Sequence, residues 1–181
     1  MFKVYIYVLD TLADWELGYV TAELNSGRFF KKGAPEVSVK TVAISKEPVK
    51  TMGGLTIVPD CSISDIEVDE KSVLLLPGAN TWDDPKHGAI IKKAGEFLSA
   101  GAMVCAICGA TAALANAGLL DQRPHTSKKF SASSVFFLCR HCWQIKAICI
   151  YDKVCIRAKK CCASPVLKYA YHSSSVLRWS R

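Results

Sequence analysis

Cys108 stands at the junction of two unlike stretches. Ala102 to Ile107 is an apolar, uncharged run short enough for a buried strand, and the segment running to Leu120 is alanine-rich and helix-favouring. Strand, tight turn and helix follow, with Cys108-Gly109 as the turn. A small residue after the cysteine lets the backbone turn sharply. The helix then directs its first unsatisfied N–H groups and its positive end at the sulfur, which makes the thiol easier to ionise. Cysteine is also among the most buried residue types, and Cys105, inside the strand, reads as a small core hydrophobe.

A nucleophilic thiol needs a proton partner and N–H groups facing a developing oxyanion. Glu16 lies just past the first expected strand, where its carboxyl could hydrogen-bond the sulfur; a solvated glutamate in a helix's first turn is the alternative. Gly78-Ala79 offers backbone N–H groups with little side-chain obstruction, although Pro77-Gly78 is also a common turn. His125, in Arg123-Pro124-His125-Thr126, reads either as a general base or as a surface loop histidine. His87 opens a helix and reads as solvated.

These residues need a frame that brings them together. Phe2 to Leu9, Val37 to Ala43 and Val73 to Leu76 read as strands, with helices over Leu12 to Leu24 and His87 to Ala100. Gly53-Gly54 marks a small hairpin, and the acidic, polar stretch Pro59 to Glu70 reads as surface. Strands alternating with helices give an α/β fold with a parallel sheet covered on both sides. Sites in such sheets form beyond the carboxyl ends of the strands. Three loops should therefore converge: Asp10 to Glu16, Pro77 to Asp84, and Cys108-Gly109.

The chain has 181 residues and a net charge of +7, but the charge is unevenly placed. Met1 to Thr126 holds 12 basic against 15 acidic residues, whereas Ser127 to Arg181 holds 11 against 1. All 11 glycines precede residue 127, and six of the nine cysteines follow it. No signal-peptide pattern opens the chain and no stretch approaches the ~18 apolar residues of a membrane span. The expectation is a soluble cytoplasmic protein with reduced thiols and no membrane partner.

An ordered set of motifs sharpens this picture: Asp14-Trp-Glu16, Leu74-Leu-Leu-Pro-Gly78, Ala106-Ile-Cys-Gly-Ala-Thr111, Leu114-Ala-Asn-Ala-Gly-Leu-Leu-Asp121 and Arg123-Pro-His-Thr126. Together they resemble the PfpI-type intracellular protease/amidase family. That family belongs to the class I glutamine amidotransferase-like superfamily, which includes the Parkinson-disease protein deglycase. The resemblance covers residues 1 to about 127 and implies a flavodoxin-like parallel sheet sandwiched by helices. It further implies Cys108 as nucleophile, Glu16 as the thiol's carboxyl partner and His125 near the catalytic histidine, with Gly78, Ala79 and Gly109 as backbone donors. No cofactor or metal is implied. The chain departs from the pattern at Ala79, where many relatives carry a second glycine, and at Gly109, where the best proteolytic members carry histidine.

The division expected is an α/β domain over residues 1–126 and a divergent, basic, cysteine-rich tail over residues 127–181. The tail lacks glycine, where about four would be usual at that length. We read it as a shifted or foreign reading frame, or a recombined exon. The rival is a zinc or nucleic-acid module built on Cys139-x-x-Cys142 with His141, Cys149, Cys155, Cys161, Cys162 and His172. No second pair at zinc-finger spacing and no paired strand supports that rival, so a nucleic-acid partner is not expected.

The functional expectation is a cysteine-dependent hydrolase acting on a small amide, carbonyl or peptide substrate, and working as a homodimer. One alternative is a redox or stress-response protein, glyoxalase- or deglycase-like or a cysteine oxidation sensor. The other is an inactive product with a replaced C-terminal third.

Overall fold

The computed structural model describes residues 1–121 and two further strands at residues 147–151 and 154–156. His125, the boundary near residue 126 and most of the tail's candidate zinc ligands lie outside the described residues.

The run Phe-Lys-Val-Tyr-Ile-Tyr forms β1 (Phe2–Tyr7), followed by α1 (Asp14–Ser26), β2 (Val37–Ala43) and a small hairpin of β3 (Val49–Lys50) and β4 (Thr56–Ile57). Next come β5 (Cys61–Ser62), β6 (Ser72–Leu76), α2 (Gly88–Ser99), β7 (Met103–Ile107) and α3 (Gly109–Asn116). The last two strands are β8 (Ala147–Tyr151) and β9 (Val154–Ile156). The main sheet runs β5-β2-β1-β6-β7-β8-β9. Its first five strands are parallel, with Tyr5 opposite Leu74 and Leu75 opposite Cys105. This mostly parallel sheet with its helices matches the expected flavodoxin-like α/β architecture. A continuous apolar run is what a strand buried on both faces requires, and every residue of β6 and β7 is buried. The helix α2 buries Ile90, Ala94, Phe97 and Leu98 against the sheet.

Four details differ from the sequence reading. The apolar set of α1 divides: Leu17 and Leu24 are buried, whereas Trp15 and Tyr19 lie four residues apart on a solvent-facing stripe. The stretch Pro59 to Glu70 is not wholly surface. Cys61 pairs beside Val42 in β5, and Cys61, Ile63 and Ile66 are buried. The polar residues between them satisfy one another locally, Ser62 giving both its N–H and its hydroxyl to Asp65 at 2.9 Å. His87 is buried rather than solvated. Finally, β8 pairs antiparallel with β7 and with β9, so paired strands do occur after Ser127.

Candidate active site

The three loops do converge at the carboxyl ends of the strands. Ala13 donates its N–H to the Gly78 carbonyl at 2.9 Å, and the Asn80 N–H donates to Thr11 Oγ1 at 3.0 Å. The hairpin closes the other side. Thr11 N–H reaches the Lys50 carbonyl at 2.8 Å, Met52 N–H reaches Leu12 at 2.9 Å, and Gly53 N–H reaches Asp14 Oδ2 at 2.6 Å. Thr11 is held at φ 63° between these partners, a conformation a β-branched residue rarely adopts.

Cys108 is the second non-glycine residue with positive φ among the described residues, at φ 52° and ψ −118°. It caps the start of α3 and is exposed, while Cys105 is buried in β7 as expected. Strain at a residue that carries a reactive side chain persists only where surrounding structure over-determines it. Here that structure is β7 entering the turn and α3 leaving it.

Glu16 meets this elbow through Gly78. The Gly78 N–H donates to Glu16 Oε2 at 2.5 Å. A Cβ on Gly78 would lie 2.8 and 2.9 Å from the two carboxylate oxygens and 2.9 Å from the Cys108 Cβ. Only a glycine fits between these two side chains. Partial burial pushes the Glu16 carboxyl above the usual glutamate range, and the Gly78 hydrogen bond pulls it part of the way back.

Gly109 is confined less tightly: a Cβ there would stand 3.1 Å from the Ala79 carbonyl oxygen and 3.1 Å from Cδ1 of Trp82. Any side chain after Cys108 would require Trp82 or the Ala79 carbonyl to give by a few tenths of an ångström. The Trp82 ring is itself fixed: its Nε1–H donates to the Pro77 carbonyl at 2.8 Å, and it packs on Tyr7 and His87 with centroids 5.7 and 5.4 Å away. Beneath it the Tyr7 hydroxyl and His87 Nδ1 are 2.8 Å apart, and Nε2 of His87 is buried with no hydrogen-bond partner. Burial holds the imidazole below its ordinary pKa, and the same burial raises the Tyr7 phenol.

The structure thus brings together Cys108, Glu16, Gly78, Ala79 and Gly109. Trp82, Tyr7, His87 and Thr11 are site-building residues that the sequence reading missed. Trp82 fell inside a loop singled out for convergence, which was the available signal. Among the described residues, no group of three or more His, Cys, Asp or Glu could hold a metal ion. No described helix is long and apolar enough to cross a membrane.

A mostly parallel sheet with its helices, and an exposed cysteine at a strained turn between strand and helix, defines a flavodoxin-like α/β protein. The chain belongs to the DJ-1/PfpI family, whose model matches residues 2–170. It is 50% identical over 125 residues to a Bacillus subtilis protein named uncharacterized protease YoaZ, covering 69% of this chain and 60% of that one. A second B. subtilis protein, uncharacterized protease YdeA, is 31% identical over 128 residues, covering 70% and 59%. The crystal structure of a ThiJ/PfpI family protein from Bacillus anthracis shares 50% identity and a TM-score of 0.67, over 70% of this chain and 60% of that one. The chain therefore spans about 60% of the length of these relatives.

Proposed function

We propose that the protein is a cysteine-dependent hydrolase of the protease/amidase type, acting on a small amide, carbonyl or peptide substrate through Cys108. One observation carries this reading: an exposed cysteine in a strained turn at a helix start, separated from a partly buried carboxyl by a glycine that leaves no space to spare. In the reaction, the Glu16 carboxylate takes the thiol proton and the sulfur attacks the carbonyl carbon. The C=O electron pair moves onto oxygen, which the backbone N–H groups of Gly109 and Ala79 receive. The N–H of Gly78 is directed at Glu16, and its part is to hold that carboxyl. Collapse expels the amine with the proton from Glu16, and water then hydrolyses the thioester. His125 serves as a second proton carrier for that water. The working form is a cytoplasmic homodimer.

The B. subtilis relatives' designation as proteases supports the hydrolase class. The closed space at Gly109 favours amides or carbonyl adducts over a peptidase that relies on a histidine there. The same exposed thiol beside a carboxyl of raised pKa supports a second reading. In it two equivalents of a peroxide oxidise the Cys108 thiol through the sulfenic acid to a sulfinate, each peroxide being reduced to water or an alcohol, and Glu16 in its protonated form donates a hydrogen bond to the product. Turnover of small amides by wild type, lost in Cys108→Ala, is the expected result. Oxidation of Cys108 without turnover favours the sensor, and neither property marks an inactive product.

A further inference from the structure

The carbonyl of Pro77 and the N–H of Gly78 belong to one peptide unit, and both ends of it are engaged. Trp82 Nε1–H donates to the oxygen at 2.8 Å, and the N–H donates to Glu16 Oε2 at 2.5 Å. A peptide whose carbonyl accepts a hydrogen bond becomes a stronger donor at its nitrogen, because the two bonds polarise the same π system. We propose that Trp82 is a positioning residue for Glu16: through the Pro77–Gly78 peptide its indole N–H strengthens and aims the hydrogen bond that holds the carboxyl beside Cys108.

Three features make this more than an incidental contact. Trp82 is 9% exposed, so its N–H is shielded from water that would otherwise compete for the carbonyl. Its ring is clamped from below by Tyr7 and His87, which are themselves hydrogen-bonded. Its Cδ1 edge lies beside Gly109, where an added Cβ would be 3.1 Å away, so the side chain that bonds Pro77 also borders the residue after Cys108. The inference rests on the reading in which Glu16 serves Cys108, but the hydrogen-bond chain has its own observables.

Several titratable groups surround the chain. Tyr7 and His87 pack against Trp82; Asp10, Asp83, Asp84 and Lys86 act electrostatically on His87; Asp14 shares the first turn of α1 with Glu16, and Cys108 lies across Gly78. The test must therefore isolate Glu16. In the intact wild-type protein, the indole N–H proton resonance of Trp82, assigned by its absence in Trp82→Phe, is followed from pH 4 to 8 beside the Glu16 carboxyl carbon. The expected result is a step in the indole shift at the Glu16 midpoint, abolished in Glu16→Gln while any step from His87 persists. In Trp82→Phe the Glu16 midpoint moves up by roughly half a pH unit, because a weaker donor favours the ionised form less. In Tyr7→Phe, which keeps the indole N–H, it stays in place. A flat indole resonance through the Glu16 titration overturns the proposal, as does an equal shift in both variants. Failure to find turnover on any substrate counts against the hydrolase reading alone, since neither resonance depends on catalysis.

Discussion

The two ends of the sheet are built to different rules. At the amino end, Lys3 pairs with Glu67 at 3.1 Å and Asp69 at 3.2 Å, on partly exposed side chains with ordinary backbone. At the carboxyl end, Thr11 and Cys108 sit at positive φ, Gly78 is wedged between Glu16 and Cys108, Gly109 lies against Ala79 and Trp82, and a carboxyl is partly buried. The amino end can lose any one contact to water at little cost. The carboxyl end cannot, since each group there fixes the position of the next.

Substitutions at the two ends should therefore differ in size. Gly78→Ala is expected to have the largest effect. Its methyl group would stand under 3 Å from Glu16 and Cys108, costing about 1–3 kcal/mol in denaturant unfolding and at least a tenfold loss of turnover. A Gly78→Ala protein of wild-type stability and activity would show that the elbow is less closely packed than described.

His87→Gln comes next. The native imidazole is held below the pKa it has when unfolded, so the unfolded chain binds more protons. The stability this contributes is present above the unfolded value of about 6.5 and is lost as pH falls through the folded value. The variant should cost about 1–3 kcal/mol at pH 8, where the buried bond to Tyr7 is disturbed, and should flatten the acid-side decline. Melting curves from pH 8 down to pH 5 check both limbs.

Cys108→Gly should move stability the other way. Relief of positive-φ strain is expected to stabilise the fold by about 1 kcal/mol while removing all turnover, which separates stability from chemistry at one residue. Smallest of all, Lys3→Ala should change unfolding by less than about 0.5 kcal/mol and leave activity untouched.

Much of the carboxyl-end site was legible in the sequence. The switch from an apolar run to an alanine-rich segment marks Cys108 as an elbow, and strand alternation brings Glu16 and Gly78 to it, because local periodicity fixes which loops share an edge. His87 escaped because its burial is decided eighty residues away, by Tyr7. Beside Pro85 and Lys86 it looks like any helix-opening polar residue. Cys61, Ile63 and Ile66 escaped because acidic neighbours dominate their stretch, and those neighbours are satisfied partly by local bonds, as Asp65 is by Ser62, and partly by distant ones, as Asp60 is by Thr41, none of which composition reveals. The exposure of Trp15 and Tyr19 follows from which stripe of α1 meets the sheet, a choice made by packing rather than by propensity.

The claim on which everything else depends is that Glu16 and Cys108 act as a pair. It is tested most directly by the rate of Cys108 alkylation with iodoacetamide, followed on its own peptide by mass spectrometry from pH 4 to 9, in wild type and in Glu16→Gln. A pair predicts a step in the wild-type rate at the ionisation of a carboxyl with raised pKa, and no such step in the variant. Superimposable profiles for the two proteins would contradict it.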